Sequence, residues 1–113
     1  MTTQPYDVVV FGATSFVGQI LTRYLFEEFG LHDQLHWAAA GRSLRKLEEL
    51  RNSLGKGAGK LTLIQADAGD EASLRKLCKS ARVVVSTVGP YALYGEPLVR
   101  VCAKTGTDYC DLT

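Results

Sequence analysis

The segment Gly12-Ala13-Thr14-Ser15-Phe16-Val17-Gly18 has residue types and a spacing suited to holding a diphosphate. It directly follows an apolar, β-branched run at 6–11 and opens a stretch with helical apolar spacing. Glycine at position 12 allows a sharp turn. A small residue at 15 lets the backbone approach an anion, and Gly18 lets the helix lie close to the strands. The first amides of such a helix have no partner within it and sit at the positive end of its dipole, so they attract phosphate. Ser15 stands where glycine is commoner. It is small enough for the close approach, and its hydroxyl offers an added phosphate contact.

A second group follows the next apolar run, where the chain reads Ala40-Gly41-Arg42-Ser43. A site selective for NAD places a carboxylate here, about 20 residues past the glycines, to hold the ribose 2′-hydroxyl. An arginine and a hydroxyl instead suit a 2′-phosphate, because guanidinium makes paired, charge-assisted bonds to phosphate and stacks on adenine. The expected cofactor is therefore NADP(H) rather than NAD(H). Asp67 follows the third run, and either accepts from the adenine amino group or closes a turn. Thr87-Val88-Gly89-Pro90 stand at the end of the fourth run, where the backbone is expected near the cofactor's central riboses. The stretch 89–95, GPYALYG, reads as a loop whose Tyr91 and Tyr94 serve either substrate contact or packing.

These groups meet only if the elements between them bring them to one edge. Apolar runs at 6–11, 35–40, 61–66, 82–88 and 108–112 read as strands, with 82–88 the most buried in character. They are continuous rather than alternating, as expected of a sheet covered on both faces. Helices are expected over 16–30, with Val17, Ile20, Leu21, Tyr24 and Leu25 as the apolar face, and from Ser43 to Gly55. Two more begin at Asp70, with Leu74, Leu77 and Cys78 inward, and at Pro97, with Leu98, Val101 and Cys102 inward. The strict alternation predicts an α/β fold, a doubly wound, Rossmann-like parallel sheet of order 3-2-1-4-5. Residues 55–60, GKGAGK, follow a helix rather than a strand and lack a following Ser/Thr. They read as a flexible connection and not as a phosphate loop.

With 113 residues, 46% hydrophobic and 22% charged, the chain supports a single core. A formal net charge of +1 supplies no basic field for a nucleic-acid partner. No apolar run approaches the roughly 20 residues of a membrane span, and MTTQPYD lacks the pattern of a secretory signal. Three cysteines, an odd number, read as reduced thiols in the cytoplasm. Cys78 and Cys102 fall on apolar helix faces, and Cys110 is expected to be buried in the last strand. His32 and His36 show no metal-ligand spacing, so no metal is expected. No Tyr-x-x-x-Lys occurs, and no catalytic residue can be assigned.

The motifs GATSFVG, AAAGRS, VVVSTVGPY and ALYGEPLVRVCAKTGTDYCDLT, with their spacing, cover nearly the whole chain. Together they resemble the saccharopine dehydrogenase-like oxidoreductases, most of all the branch containing trans-acting enoyl reductases of lipid synthesis. That resemblance implies a nucleotide-binding domain at 1–113, belonging to a longer protein with a separate substrate-binding and homodimerising domain. It implies hydride transfer to a small-molecule or acyl substrate, with these residues binding NADP(H) but not turning substrate over alone. Gly12, Ser15 and Gly18 would then hold the pyrophosphate, with Thr14 and Phe16 giving backbone contacts and Ala13 and Val17 completing the cofactor-binding turn. Arg42 and Ser43 would take the 2′-phosphate, Asp67 the adenine, and Val88, Gly89 and Pro90 the riboses and nicotinamide. A non-catalytic NADP(H)-sensing module remains an alternative from another class. Binding of a mononucleotide or S-adenosylmethionine is a third, against which Arg42 and Ser43 argue.

Overall fold

The apolar runs become five strands in a computed structural model of the chain, which describes residues 5–31, 35–87 and 91–111. The order is β1 (Tyr6–Phe11), α1 (Phe16–Phe29), β2 (Trp37–Gly41), α2 (Leu44–Ser53), β3 (Thr62–Gln65), α3 (Glu71–Lys79), β4 (Ala81–Ser86), α4 (Tyr91–Thr105) and β5 (Asp108–Asp111). Every pairing is parallel, and the sheet runs β3-β2-β1-β4-β5. The doubly wound expectation holds. Successive strand residues point to opposite faces, so β1 serves two layers. Val9 and Phe11 pack with Leu74 and Leu77 of α3 and with Leu98 and Val101 of α4. Val10 packs on the other side with Leu25 of α1 and Leu47 and Leu50 of α2. Ser43 and Asp70 cap α2 and α3, each accepting from a backbone amide in the first turn.

The buried face of α1 differs from the one its apolar spacing suggests. Gly18, Thr22 and Leu25 face the sheet, whereas Val17, Ile20 and Tyr24 are 43%, 57% and 54% exposed. Close approach at Gly18 decides this. A Cβ there would lie 2.1 Å from the Gly12 carbonyl oxygen, so the one residue without a Cβ must turn inward and set the helix's rotation. Thr22 then becomes buried, and its hydroxyl donates to the Gly18 carbonyl at 2.7 Å. Leu25→Ala should therefore cost about 2–4 kcal/mol, and Ile20→Ala less than about 1 kcal/mol, in urea unfolding. Equal losses would show that Ile20 is packed in solution.

Other expectations also need correction. Helix α4 begins at Tyr91, not at Pro97, so Pro97 lies inside the helix. It cannot donate to the carbonyl four residues earlier, a local cost of up to about 3 kcal/mol that burial of Leu98, Val101 and Cys102 against the sheet offsets. The most buried strand is β2, with all five residues inside; β4 has Arg82 exposed and Val83 and Val85 half-buried. Val83 and Val85 pair with Val8 and Val10, so they lie on the α1 side, where cover thins toward β5. Cys110 is exposed for the same reason. Cys78 and Cys102 are buried as expected, with their sulfurs 3.4 Å apart. Their hydrogen bond and their burial hold the Cys78 thiol above its ordinary pKa. Residues 55–60 are not a loose connection: Ala58–Lys60 form a 3₁₀ turn that seats Ala58 and Leu61 in the core.

Candidate nucleotide-binding site

Strand β1 has β2 on one side and β4 on the other, so the connections leaving β1 and β4 diverge over opposite faces of the sheet. Such a switch point leaves a crevice beyond the carboxyl ends of the strands. A cavity of about 390 Å³ occupies that position, lined by Gly12, Thr14, Ser15, Arg42, Lys46 and Asp67 among others. The sequence-predicted groups after β1, β2 and β3 are thus brought together. Val88, Gly89 and Pro90 lie outside the described residues. Tyr91 and Tyr94 belong to the first turns of α4 rather than to a loop.

The turn after β1 is built around the Gly12 carbonyl. Gly12 has φ +85°, a conformation that favours glycine. Its amide and that of Ala13 both donate to the Ala40 carbonyl of β2, at 2.9 and 3.0 Å. Its carbonyl accepts from the Ser15 amide at 3.0 Å and from the Thr87 hydroxyl at 2.7 Å. Ser15 caps α1, its Oγ accepting from the Gly18 amide at 3.0 Å, and lies 3.0 Å from Thr87 Oγ1. Ser15 Oγ is therefore committed to the turn, which corrects the expectation of a spare hydroxyl for phosphate. Ala13 is fully buried in the core.

What the turn leaves open is a set of donors. Among the described residues, the amides of Thr14, Phe16 and Val17 carry no hydrogen-bond partner. They stand at the start of a 14-residue helix with no acidic residue in its first turn, a combination that attracts an anion. Gly18 lets the helix sit against Gly12, where a Cβ would meet the Gly12 and Ala13 backbone.

Two cationic side chains, Arg42 and Lys46, line the same cavity, together with the carboxylate of Asp67. Arg42 is exposed just past β2, its carbonyl held by the Gln65 side chain at 3.2 Å. The Ser43 hydroxyl accepts from the Lys46 amide, which leaves its own proton free to donate. Lys46 lines the same cavity and was missed by the sequence reading. Its signal was its place three residues past the capping Ser43, on the first turn of α2. Neither Arg42 nor Lys46 makes an ion pair among the described residues. Asp67 uses Oδ1 to accept from the Gly69 amide at 2.9 Å, so it is a turn residue with its second carboxylate oxygen left over. Thr87, placed by its sequence at a strand end, also lines the cavity, but its hydroxyl partners could not be read from the sequence. The described residues hold no cluster of three or more metal-ligating side chains, and no helix among them is long and apolar enough to cross a membrane.

Comparison with known proteins agrees with this geometry. The family model for the saccharopine dehydrogenase NADP binding domain matches residues 8–113. A trans-acting enoyl reductase of Mycobacterium leprae is 44% identical over 108 residues, covering 96% of this chain and 25% of that protein. Its namesake in Mycobacterium ulcerans is 42% identical over 108 residues, with the same coverage of 96% and 25%. The chain thus spans about a quarter of the length of these relatives. Apo saccharopine dehydrogenase (L-Glu forming) from Saccharomyces cerevisiae superposes with a TM-score of 0.74 at 24% identity, over 94% of this chain and 21% of that one. An NADPH complex of a quinone oxidoreductase from Escherichia coli gives 0.68 at 22% identity, over 88% and 34%. These two likenesses are of fold.

Proposed function

This chain belongs to the saccharopine dehydrogenase NADP-binding domain family, and from that premise we propose that it is the nucleotide-binding part of a longer enoyl reductase. The observation that carries the reading is a single cavity lined both by the turn that opens α1, at Gly12, Thr14 and Ser15, and by Arg42 and Lys46, with the amides of Thr14, Phe16 and Val17 open at that turn. NADPH, when bound, supplies a hydride to an electron-poor carbon. The chain's own residues bind and orient it. Thr14, Phe16 and Val17 donate their amides to the pyrophosphate, with Gly12, Ala13, Ser15 and Gly18 shaping the cradle. Arg42, Ser43 and Lys46 hold the 2′-phosphate, and Asp67 takes the adenine amino group on its free oxygen. Val88, Gly89 and Pro90 line the riboses.

The relatives' names support an α,β-unsaturated acyl substrate. Holding that acceptor at about 3–3.5 Å and supplying a donor for the developing charge fall to residues outside 1–113, which also form the homodimer. A cytoplasmic setting goes with this reading, supported by three cysteines in an odd count. Residues 1–113 should bind NADPH without substrate-dependent oxidation, while the longer protein oxidises NADPH when given enoyl thioesters. NADPH absorbance over a panel of enoyl and carbonyl compounds checks both. Full turnover by residues 1–113 alone would place the active site within them. Binding without turnover by the longer protein would favour the sensing module.

A further inference from the structure

Thr87 is the last described residue before α4, and its hydroxyl is 75 residues away in sequence from the carbonyl it meets. Its amide donates to the Phe11 carbonyl at 2.9 Å, continuing the β1–β4 ladder. Its Oγ1 lies 2.7 Å from the Gly12 carbonyl, 3.2 Å from that of Phe11 and 3.0 Å from Ser15 Oγ. A threonine hydroxyl has one proton, and the shortest contact assigns it to Gly12. Ser15 must then donate to Thr87, while accepting from the Gly18 amide. The result is a directed chain from the Gly18 N–H through Ser15 and Thr87 to the Gly12 carbonyl. Gly12, Ser15 and Gly18 belong to the turn after β1 and the start of α1, while Thr87, just past β4, supplies the link between Ser15 and Gly12.

The consequence falls on one peptide plane. The Gly12–Ala13 peptide has its N–H held by Ala40 of β2 and its C=O held by Thr87 beyond β4. It is clamped from the strands on both sides of β1. Glycine has no Cβ to resist rotation there. Turning that plane would bring a carbonyl oxygen toward the space where the open amides of Thr14, Phe16 and Val17 await an anion. A lone pair in place of donors repels phosphate.

We propose that Thr87 is a positioning residue for the dinucleotide's diphosphate, keeping the Gly12 carbonyl turned from the anion through its hydroxyl relay with Ser15. This rests on the nucleotide-binding reading above. The test compares the intact protein with Thr87→Val, Thr87→Ser and Ser15→Ala. Two probes are titrated: NADPH by nicotinamide fluorescence, and adenosine 2′-monophosphate, which lacks the diphosphate, by calorimetry. Thr87→Val should bind NADPH about tenfold or more weakly with adenosine 2′-monophosphate affinity unchanged, and Thr87→Ser should restore NADPH binding. Ser15→Ala should show the same selective loss, and it carries the test if Thr87→Val fails to fold. Combining the two substitutions should add little, because both break one relay. Unchanged NADPH binding in both variants, or equal loss of both probes, would overturn the positioning role. Failure of the unaltered protein to bind either probe would instead overturn the nucleotide reading and this inference with it.

Discussion

Alanine at position 18 is expected to abolish measurable NADPH binding and to destabilise the fold by about 3 kcal/mol or more, the upper end of overpacking costs. The added Cβ would sit 2.1 Å from the Gly12 carbonyl oxygen and 2.8 Å from both Cα and C of Ala13. All three are backbone atoms of a turn already tied to β2 and to Thr87, so no flexible side chain can swing away. Either α1 lifts from the sheet, pulling Thr22 and Leu25 out of the core, or the Gly12 carbonyl turns and spoils the anion cradle. Gly41→Ala is the control. The atoms nearest its Cβ would be those of the Leu47 side chain, the first at 3.5 Å, so it should cost less than about 1 kcal/mol. Urea midpoints separate the two variants, and NADPH titration follows Gly18→Ala against the unaltered protein. A stable Gly18→Ala protein with ordinary affinity would mean that α1 does not lie against the turn as described.

Removing the guanidinium at position 42 should change which dinucleotide is preferred. Arg42→Ala is expected to weaken NADPH by about 1.5–3 kcal/mol, the usual worth of a charged hydrogen bond, and to leave NADH nearly unchanged. Arg42 is exposed, and water screens such contacts, so the lower part of that range is expected. Lys46→Ala should act in the same direction, because both residues line the same cavity. The double substitution should bring the two cofactors close to parity. Raising the salt should narrow the NADPH preference of the unaltered protein, because the 2′-phosphate adds an ionic contact that NADH lacks. Equal losses for NADPH and NADH in Arg42→Ala would refute the 2′-phosphate assignment.

Much of the architecture was legible in the residues themselves. Continuous apolar runs, capping Ser43 and Asp70, and the strict strand–helix alternation carry local physics: burial on both faces, capped amides, short connections. From these the parallel sheet and its order follow. The glycine turn and the Arg42–Ser43 pair were also legible, because each lies within a few residues of a strand end and strand ends are common ground in this topology.

What escaped depends on neighbours distant in the chain. Apolar spacing says that α1 has a greasy face, but Gly18 against Gly12 decides which side turns inward, leaving Ile20 and Tyr24 outside. Cys110 has the composition of a core residue, yet its strand is at the sheet's edge under thin cover. Pro97 has the local chemistry of a helix start, but α4 begins six residues earlier, at Tyr91. Thr87 reads as one more strand-end residue, and nothing near it in sequence tells of Gly12 or Ser15. Their meeting exists only because β4 lies beside β1 in the sheet. Propensity and periodicity act over one or two turns of chain, whereas helix rotation, edge exposure and a hydroxyl's partner are set by atoms that folding alone brings within 3 Å.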